Sequence, residues 1–188
     1  MINEKKVLFE IPLIIGYLEN IDNEKITKDA VDNASNMIEN DKSLHTFSED
    51  SYIPESIQLN ELFKSIENDF LESTSLNFKI NEHWAHIHRP NQSGGIHNHI
   101  PNIHPEEYQI DSNKYLSGVY YPYLPNDCGN IVFEWRIGVQ GAIPNYRYSY
   151  EDAKVGSYIL FPSHLSHFIT PNLSDHLRVS ISFNGKVS

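Results

Sequence analysis

The stretch LRVSISFN, residues 177–184, alternates strictly between apolar and polar side chains. Side chains on a β-strand point alternately to its two faces, so this stretch predicts a two-faced strand. The apolar face carries Leu177, Val179, Ile181 and Phe183, and the polar face carries Arg178, Ser180, Ser182 and Asn184. The apolar face has to pack on another layer, for which the N-terminal helices are candidates. The polar face lies either in solvent or at the mouth of a barrel.

Further strand-like segments precede this one. They are short, rich in aromatic and β-branched residues and separated by Pro, Gly and Asn, which is typical of β-strands joined by turns. The segments are residues 80–88, 115–124, 130–135 and 157–161. A strand is also predicted near the N-terminus, where the apolar residues 7–18 form a buried strand. The sequence after Leu76 therefore predicts a β core.

Two amphipathic helices are predicted ahead of this core. Over residues 57–71 the apolar side chains recur at three-to-four spacing, and residues 24–38 show a weaker stripe of the same kind. We therefore expect a mainly β protein of the α+β class. With 188 residues, the chain predicts a single domain over residues 1–188. Residues 1–75 supply an N-terminal strand and supporting helices, and residues 76–188 supply the core.

The charge balance excludes some partners. The chain has 25 Asp and Glu against 14 Lys and Arg, so we expect neither nucleic acid nor a membrane surface as a partner. Residues 7–18 are too short for the roughly 20 residues that cross a bilayer. Cys128 is the one cysteine and cannot form an internal disulfide, and no signal peptide is recognisable, so we expect a cytoplasmic protein. The sequence leaves open whether the protein forms a homodimer.

The stretch GGIHNHIPNIH, residues 94–104, contains three histidines. On a strand, His97 and His99 would point to the same side and present two imidazoles to one metal ion. A third candidate ligand is His167, which follows the strand at 157–161 and Pro162 and stands where the next strand begins. An H-x-H pair alone is as compatible with a chance cluster of histidines as with a metal site. The third histidine favours the metal site.

These motifs resemble the iron(II)- and 2-oxoglutarate-dependent oxygenases, in particular a phage-like branch related to prolyl hydroxylases. The resemblance covers roughly the C-terminal hundred residues and depends on the order of the pieces and on the separation between His167 and Arg178. The matching pieces are Trp84, His97, His99, LSGVYY (116–121), GNIVFEW (129–135), LFPSHLSH (160–167) and RVSISFN (178–184).

The resemblance implies a fold and a set of ligands. The fold is a double-stranded β-helix, also called a jelly roll and shared with cupins, with the N-terminal helices packed on its major sheet. His97, His99 and His167 would bind iron(II), and Arg178 would bind the distal carboxylate of the cosubstrate 2-oxoglutarate, with Ser180 and Tyr121 as further contacts. Ascorbate is left open as an additional cofactor. The reaction would hydroxylate an unactivated C–H bond of a small molecule or a peptide, with dioxygen as the oxidant.

The chain departs from the family pattern at His99, since these enzymes usually have Asp or Glu at that position. Two alternatives follow. Either three histidines hold the iron, or a carboxylate from Glu106, Glu107 or Asp111 replaces His99. The segment 100–114, which carries these acids and His104, could instead form a lid over the substrate.

Other interpretations give different functions to the same fold. A cupin that works without 2-oxoglutarate also uses H-x-H followed by a distal histidine, and a non-catalytic metal-binding or sugar-binding jelly roll would use the histidines for structure alone. Arg178 distinguishes the oxygenase from both, because neither alternative requires an arginine at that separation. His86 and His88 are predicted to line the cavity, His164 and His176 to lie in loops, and Cys128 to be inert.

Overall fold

The computed structural model describes residues 11–40, 49–51, 53–99, 114–135 and 146–188. Within these residues two helices and ten strands are present. In chain order they are β1 (Ile14–Tyr17), α1 (Asn23–Asn40), β2 (Glu49–Ser51), α2 (Ile57–Thr74), β3 (Phe78–His88), β4 (Gly94–His97), β5 (Tyr115–Tyr123), β6 (Ile131–Trp135), β7 (Tyr146–Tyr150), β8 (Ser157–Pro162), β9 (Ser166–Ile169) and β10 (Arg178–Val187). All strand pairs are antiparallel.

The strands form two sheets. The major sheet has the order β1-β8-β5-β10-β3-β2, and the minor sheet has the order β4-β9-β6-β7. Residues before position 75 contribute strands to the major sheet at both of its edges, since β1 pairs with β8 and β2 pairs with β3. Two antiparallel sheets of this kind form the expected double-stranded β-helix.

The helices pack on the outer face of the major sheet. One buried cluster joins Leu62, Ile66 and Phe70 of α2 to Val179, Ile181 and Phe183 of β10. Within the sheet, the Phe183 ring lies over Gly118 of the neighbouring strand β5, where an added Cβ would be 2.4 Å from the ring. Tyr120 of β5 donates a hydrogen bond to Asn23 of α1 (2.7 Å). The apolar stripes of the helices and of β10 therefore face each other, as their spacing predicts.

A second buried cluster lies between the two sheets. Its members come from the inner face of the major sheet and from the minor sheet, and they include Val119, Tyr121, Ile131, Phe133, Ile159 and Phe161. Residues that neighbour one another along β5 and β8 therefore belong to different clusters, such as Tyr120 and Tyr121, or Leu160 and Phe161. This arrangement is the two-residue period of a β-strand.

The sequence prediction was wrong for part of the N-terminal strand and incomplete for α2. Residues 1–10 lie outside the described residues, and the strand that is described, β1, is an edge strand with Ile15 and Tyr17 nearly half exposed (48% and 46%). Among the described strands it pairs only with β8, so it is not buried on both sides. Helix α2 continues beyond residue 71 to Thr74 and is capped by Ser75, which has a left-handed conformation (φ 60°) and donates its N–H to the Leu71 carbonyl.

Candidate metal centre

Three histidines meet between the ends of the minor-sheet strands β4 and β9. One ring nitrogen from each of His97, His99 and His167 lies within 4.8 Å of the other two. The Nε2 atoms of His99 and His167 are 3.3 Å apart, and the ring centroids of His97 and His167 are 4.4 Å apart. Among the described residues this is the one group of three or more His, Cys, Asp or Glu side chains whose geometry could hold a metal ion.

Strand pairing and one loop contact bring these three side chains together. β4 and β9 are antiparallel neighbours, and His97 lies directly opposite His167 in their register. The prediction that His97 and His99 share a strand was wrong, because β4 ends at His97. The backbone N–H of His99 instead donates to the carbonyl of Ser163 (2.8 Å), which fixes the chain just beyond the strand. The predicted convergence therefore occurs, but through a loop contact.

Two backbone carbonyls orient the rings. Nδ1 of His97 lies 2.7 Å from the Gly95 carbonyl, and Nδ1 of His167 lies 3.0 Å from the Leu165 carbonyl. A carbonyl only accepts hydrogen bonds, so each Nδ1 carries the proton and each Nε2 keeps its lone pair. This is the arrangement by which a metal-binding histidine is held by its second ring nitrogen. A cation at the centre would accept the lone pairs that face it.

His167 is the most buried of the three, with 3% of its surface exposed. Its ring packs against Phe161, with centroids 4.8 Å apart. The pKa of His167 is lowered to about 3, mainly by burial, while the Leu165 carbonyl acts in the opposite direction and the neighbouring His97, His99 and His86 contribute smaller decreases. The ring is therefore neutral at neutral pH, as a metal ligand has to be. His97 is exposed and His99 half-buried, so the group opens to the surface on the His97 side.

Arg178 lies at the start of β10 and is almost completely buried (1% exposed). Its NH1 donates to the hydroxyl of Ser180 (3.1 Å) and lies 3.5 Å from Nδ1 of His88. Its Nε has no hydrogen-bond partner among the residues that the structure describes. Neither an acidic side chain nor a C-terminal carboxylate in the described residues forms an ion pair with it. A buried guanidinium with an unused donor is costly unless an anion completes it, so this group fits a carboxylate ligand.

Tyr121 of β5 lies beside Arg178, whose guanidinium carbon is 5.3 Å from the centre of the Tyr121 ring. Its hydroxyl is buried and has no hydrogen-bond partner within the described part of the chain. Burial raises the pKa of Tyr121 to about 12, although the charge of Arg178 acts in the opposite direction. The phenol is therefore protonated at neutral pH and can donate a hydrogen bond to an anion bound at Arg178.

Ser180 connects the two groups. It lines the space of about 20 Å³ next to the histidines, together with Val119, Ile131 and Ser182. Arg178 lies two residues before Ser180 on the same face of β10, and the two residues are roughly 7 Å apart at the usual rise of a strand. The polar face of β10 thus points between the sheets, towards the metal centre, and the solvent alternative for this face was wrong.

The remaining predicted residues fall around this centre. His86 lines the space beside the three histidines, and His88 is fully buried next to Arg178, as predicted for residues of the cavity wall. The Trp84 ring lies 5.2 Å from the His99 ring. Glu106, Glu107, Asp111 and His104, with the segment 100–113, lie outside the described residues. The alternative in which a carboxylate replaces His99 as a ligand, and the lid over the substrate, therefore stay predictions.

Sequence reasoning missed Ser163 and its partners. Besides its carbonyl contact with His99, Ser163 accepts a hydrogen bond at Oγ from Ser117 (2.9 Å), and Ser117 also contacts Asn184 (2.7 Å). These groups support the loop that positions His99. Serines in a strand and in a loop carry no spacing pattern, so only the polar residues inside the otherwise apolar segment 116–121 could have indicated them.

Comparisons with known proteins agree with this geometry. The family described as "Putative 2OG-Fe(II) oxygenase" matches residues 82–184. This range contains most of β3 and of β10, the strands between them, all three histidines, Tyr121, Arg178 and Ser180, and it covers more than half of the chain. No curated protein sequence matches.

Several solved structures are similar in fold. The chain superposes on the non-heme alpha ketoglutarate dependent carbocyclase SnoK from nogalamycin biosynthesis with a TM-score of 0.56 and 10% identity, covering 93% of this chain and 79% of that one. EvdMO1 superposes with a TM-score of 0.61 and 15% identity, covering 94% of this chain and 47% of that one. A Pseudomonas putida prolyl-4-hydroxylase superposes with a TM-score of 0.52 and 11% identity, covering 93% of this chain and 91% of that one.

The family match and the fold give one conclusion about the class of protein. The chain belongs to the 2OG-Fe(II) oxygenase family and has its double-stranded β-helix fold. Enzymes of this class use iron(II) and 2-oxoglutarate. The predicted fold, the enzyme class and the use of iron(II) and 2-oxoglutarate are thereby confirmed. Within the described residues, neither helix has the length and apolar character needed to cross a membrane.

Proposed function

We propose that His97, His99 and His167 hold the iron(II) and that Arg178, with Ser180 and Tyr121, binds the distal carboxylate of 2-oxoglutarate. The observation that carries the proposal is the pairing of two unlike sites in one interior: three imidazole nitrogens within 4.8 Å, and a buried guanidinium that has an unused donor. A cupin that works without 2-oxoglutarate, or a structural jelly roll, has no need of the second site. A 2-oxoglutarate-dependent oxygenase therefore accounts for both sites.

Three neutral imidazoles suit iron(II) in number and in ligand type. They occupy one side of the ion and leave the other side for the cosubstrate and dioxygen. Compared with two histidines and a carboxylate, they leave one more positive charge at the centre. The carboxylates of 2-oxoglutarate supply compensating charge, so the cosubstrate and the metal are expected to bind cooperatively.

The residues of this chain position the reactants. Arg178 and Tyr121 donate to the distal carboxylate and thereby fix which end of 2-oxoglutarate faces the histidines. Phe133 and Phe161 cover the His167 ring and keep water from that side. Iron bound with 2-oxoglutarate and dioxygen supplies the oxidising chemistry, in which 2-oxoglutarate becomes succinate and carbon dioxide and a C–H bond of the substrate is hydroxylated.

The proposal also covers the access of the substrate, the location of the protein in the cell and its domain organisation. The exposed side of the centre is next to His97, so a small molecule or an accessible side chain of a peptide could approach the iron there. We place the protein in the cytoplasm, since its one cysteine leaves it without an internal disulfide. Residues 1–188 are proposed to act as one domain, because β1 and β2 from the first 75 residues complete the major sheet.

The test measures succinate formation and iron content together. The parent protein is expected to bind about one iron(II) per chain and to convert 2-oxoglutarate to succinate only with iron present. His167→Ala should lose both properties, whereas the matched control His176→Ala, at an exposed loop position, should keep both. Equal iron content in His167→Ala and the parent would rule out the proposed centre.

A further inference from the structure

A second and much larger cavity lies on the other side of Arg178. Its volume is about 560 Å³. Residues 124–131 between β5 and β6, residues 153–155 ahead of β8, and residues 170–171 after β9 line it. Tyr121 and Arg178 also belong to the lining. The cavity is therefore built from three loops around the group that we assign to the cosubstrate carboxylate.

This cavity and the histidines occupy opposite ends of the barrel. Strand β8 begins beside the cavity, after residue 155, and ends at Pro162, next to the Ser163 carbonyl that holds His99. Strand β9 runs back from His167 to residue 170 at the cavity. The cavity rim is at the surface, since Leu173 and Val155 are 72% and 39% exposed. Arg178 thus belongs to the inner wall of a cavity that opens to the surface away from the histidines.

The two spaces differ greatly in size. The space beside the histidines has about 20 Å³, which is enough for about one water molecule. The cavity of about 560 Å³ has ample room for a five-carbon dicarboxylate, whereas the space beside the histidines can take part of one only when the side chains around it move apart. Ile131 lines both spaces, and Arg178, in the cavity wall, donates to Ser180, which lines the space beside the histidines. The wall between them is therefore a single layer of side chains.

Charge in the cavity does not oppose an anion. Asp127 and Glu151 are balanced by Lys154 and Arg178 among the lining residues. The basic group at the inner end is the buried Arg178, and its Nε and the Tyr121 hydroxyl are covered by the side chains of the inner wall. A dicarboxylate at the inner end of the cavity would therefore lie next to the positive charge of Arg178, and its hydrogen-bond donors become available where that wall opens.

We infer that 2-oxoglutarate enters and succinate leaves through this cavity, at the end of the barrel away from the exposed side of the metal centre. The inference rests on the proposed function, because it takes Arg178 as the carboxylate site. The substrate then uses the His97 side and the cosubstrate uses the loop side. A bound substrate would leave the exchange of 2-oxoglutarate and succinate unobstructed.

The experiment narrows the cavity and follows binding without turnover. Iron-loaded protein is mixed anaerobically with 2-oxoglutarate in a stopped-flow instrument, and the metal-to-ligand charge-transfer absorption reports association and dissociation. The variants are Ala153→Trp inside the cavity and Leu173→Trp at its rim. Leu71→Trp, at an exposed position of α2 (42% exposed), is the matched control.

A route through the cavity predicts that Ala153→Trp lowers the association and dissociation rates together, by about tenfold or more, with little change in Kd. Leu173→Trp should slow both rates less, and Leu71→Trp should equal the parent. If Ala153→Trp does not fold, Leu173→Trp and Val155→Trp at the rim decide. Cavity variants with the parent's rates would refute the route and leave the proposed function intact. A parent protein without the absorption band would refute both.

Discussion

The two faces of β10 are equally buried and chemically opposite. Val179, Ile181 and Phe183 face the helices and are 0% exposed, while Arg178, Ser180 and Ser182 face the minor sheet and are 1–7% exposed. Burial of polar groups is unfavourable unless partners satisfy them. The helix-side face needs no ligand, but Arg178 on the other face keeps an unused donor. The helix-side face therefore serves stability, and the inner face serves binding.

Phe183→Ala should produce the largest change, and it should affect stability alone. Its ring packs on Gly118 and lies 5.8 Å from the ring of Phe63, so truncation leaves a cavity in a tightly packed layer. We expect the free energy of unfolding to fall by about 3–5 kcal/mol. Urea denaturation measures this. The Kd for 2-oxoglutarate should stay near the parent value in the folded protein, and a large rise in Kd would mean that the two faces are not independent.

Arg178→Ala should show the opposite behaviour. Loss of the guanidinium leaves the cosubstrate carboxylate unpaired, which we expect to weaken 2-oxoglutarate binding by about 2–5 kcal/mol. Stability should change less than in Phe183→Ala, because the variant also removes a buried charge. Anaerobic titration of the iron-loaded protein gives the Kd. Arg178→Lys keeps the charge without the planar fork and should recover only part of the affinity. An unchanged Kd in both variants would remove Arg178 from the site.

The third prediction concerns the ligand that departs from the family pattern. His99→Ala removes one nitrogen of the group, so iron affinity should fall by more than the ~10–100-fold cost of losing an outer-shell partner. His99→Asp restores two histidines and one carboxylate and should keep iron. Iron content after dialysis against a chelator measures both. His99→Ala that retains iron as well as the parent would favour Glu106, Glu107 or Asp111 as the ligand.

The smallest expected effect is on 2-oxoglutarate binding, and it should distinguish Ser180 from Ser182 on the inner face of β10. Ser180 accepts a hydrogen bond from Arg178, and its removal should weaken 2-oxoglutarate binding by about 1 kcal/mol. Ser182 lies on the same face without a hydrogen bond to Arg178, so Ser182→Ala is the matched control and should have little effect. The same titration measures both. Equal losses in the two variants would show that Ser180 has no particular role in placing Arg178.

The sequence predicted the parts of this fold that repeat with a period. The stripe of α2 and the alternation of β10 indicated both elements and the faces that meet. Short elements were missed, such as β2, with three residues, and β7, whose alternation YRYSY extends over only five residues. Periodicity also misplaced His99, because a strand pattern does not show where pairing stops.

For the site, the sequence predicted the residues more successfully than their arrangement. The three histidines and Arg178 were identifiable from motif order, and the structure brings the histidines together. The loop contact from His99 to Ser163, the buried Tyr121 hydroxyl and the cavity behind Arg178 depend on tertiary packing. Residues distant in sequence create these features, so local spacing does not encode them.

The most direct test of the metal centre is anomalous diffraction at the iron edge, using crystals soaked anaerobically with iron(II) and 2-oxoglutarate. The account predicts one strong peak about 2 Å from a ring nitrogen of each of His97, His99 and His167, the usual length of a metal–imidazole bond. Density for 2-oxoglutarate should extend from that peak to Arg178. A peak bonded to only two of these histidines and to a carboxylate, or a peak elsewhere in the protein, would contradict the three-histidine centre.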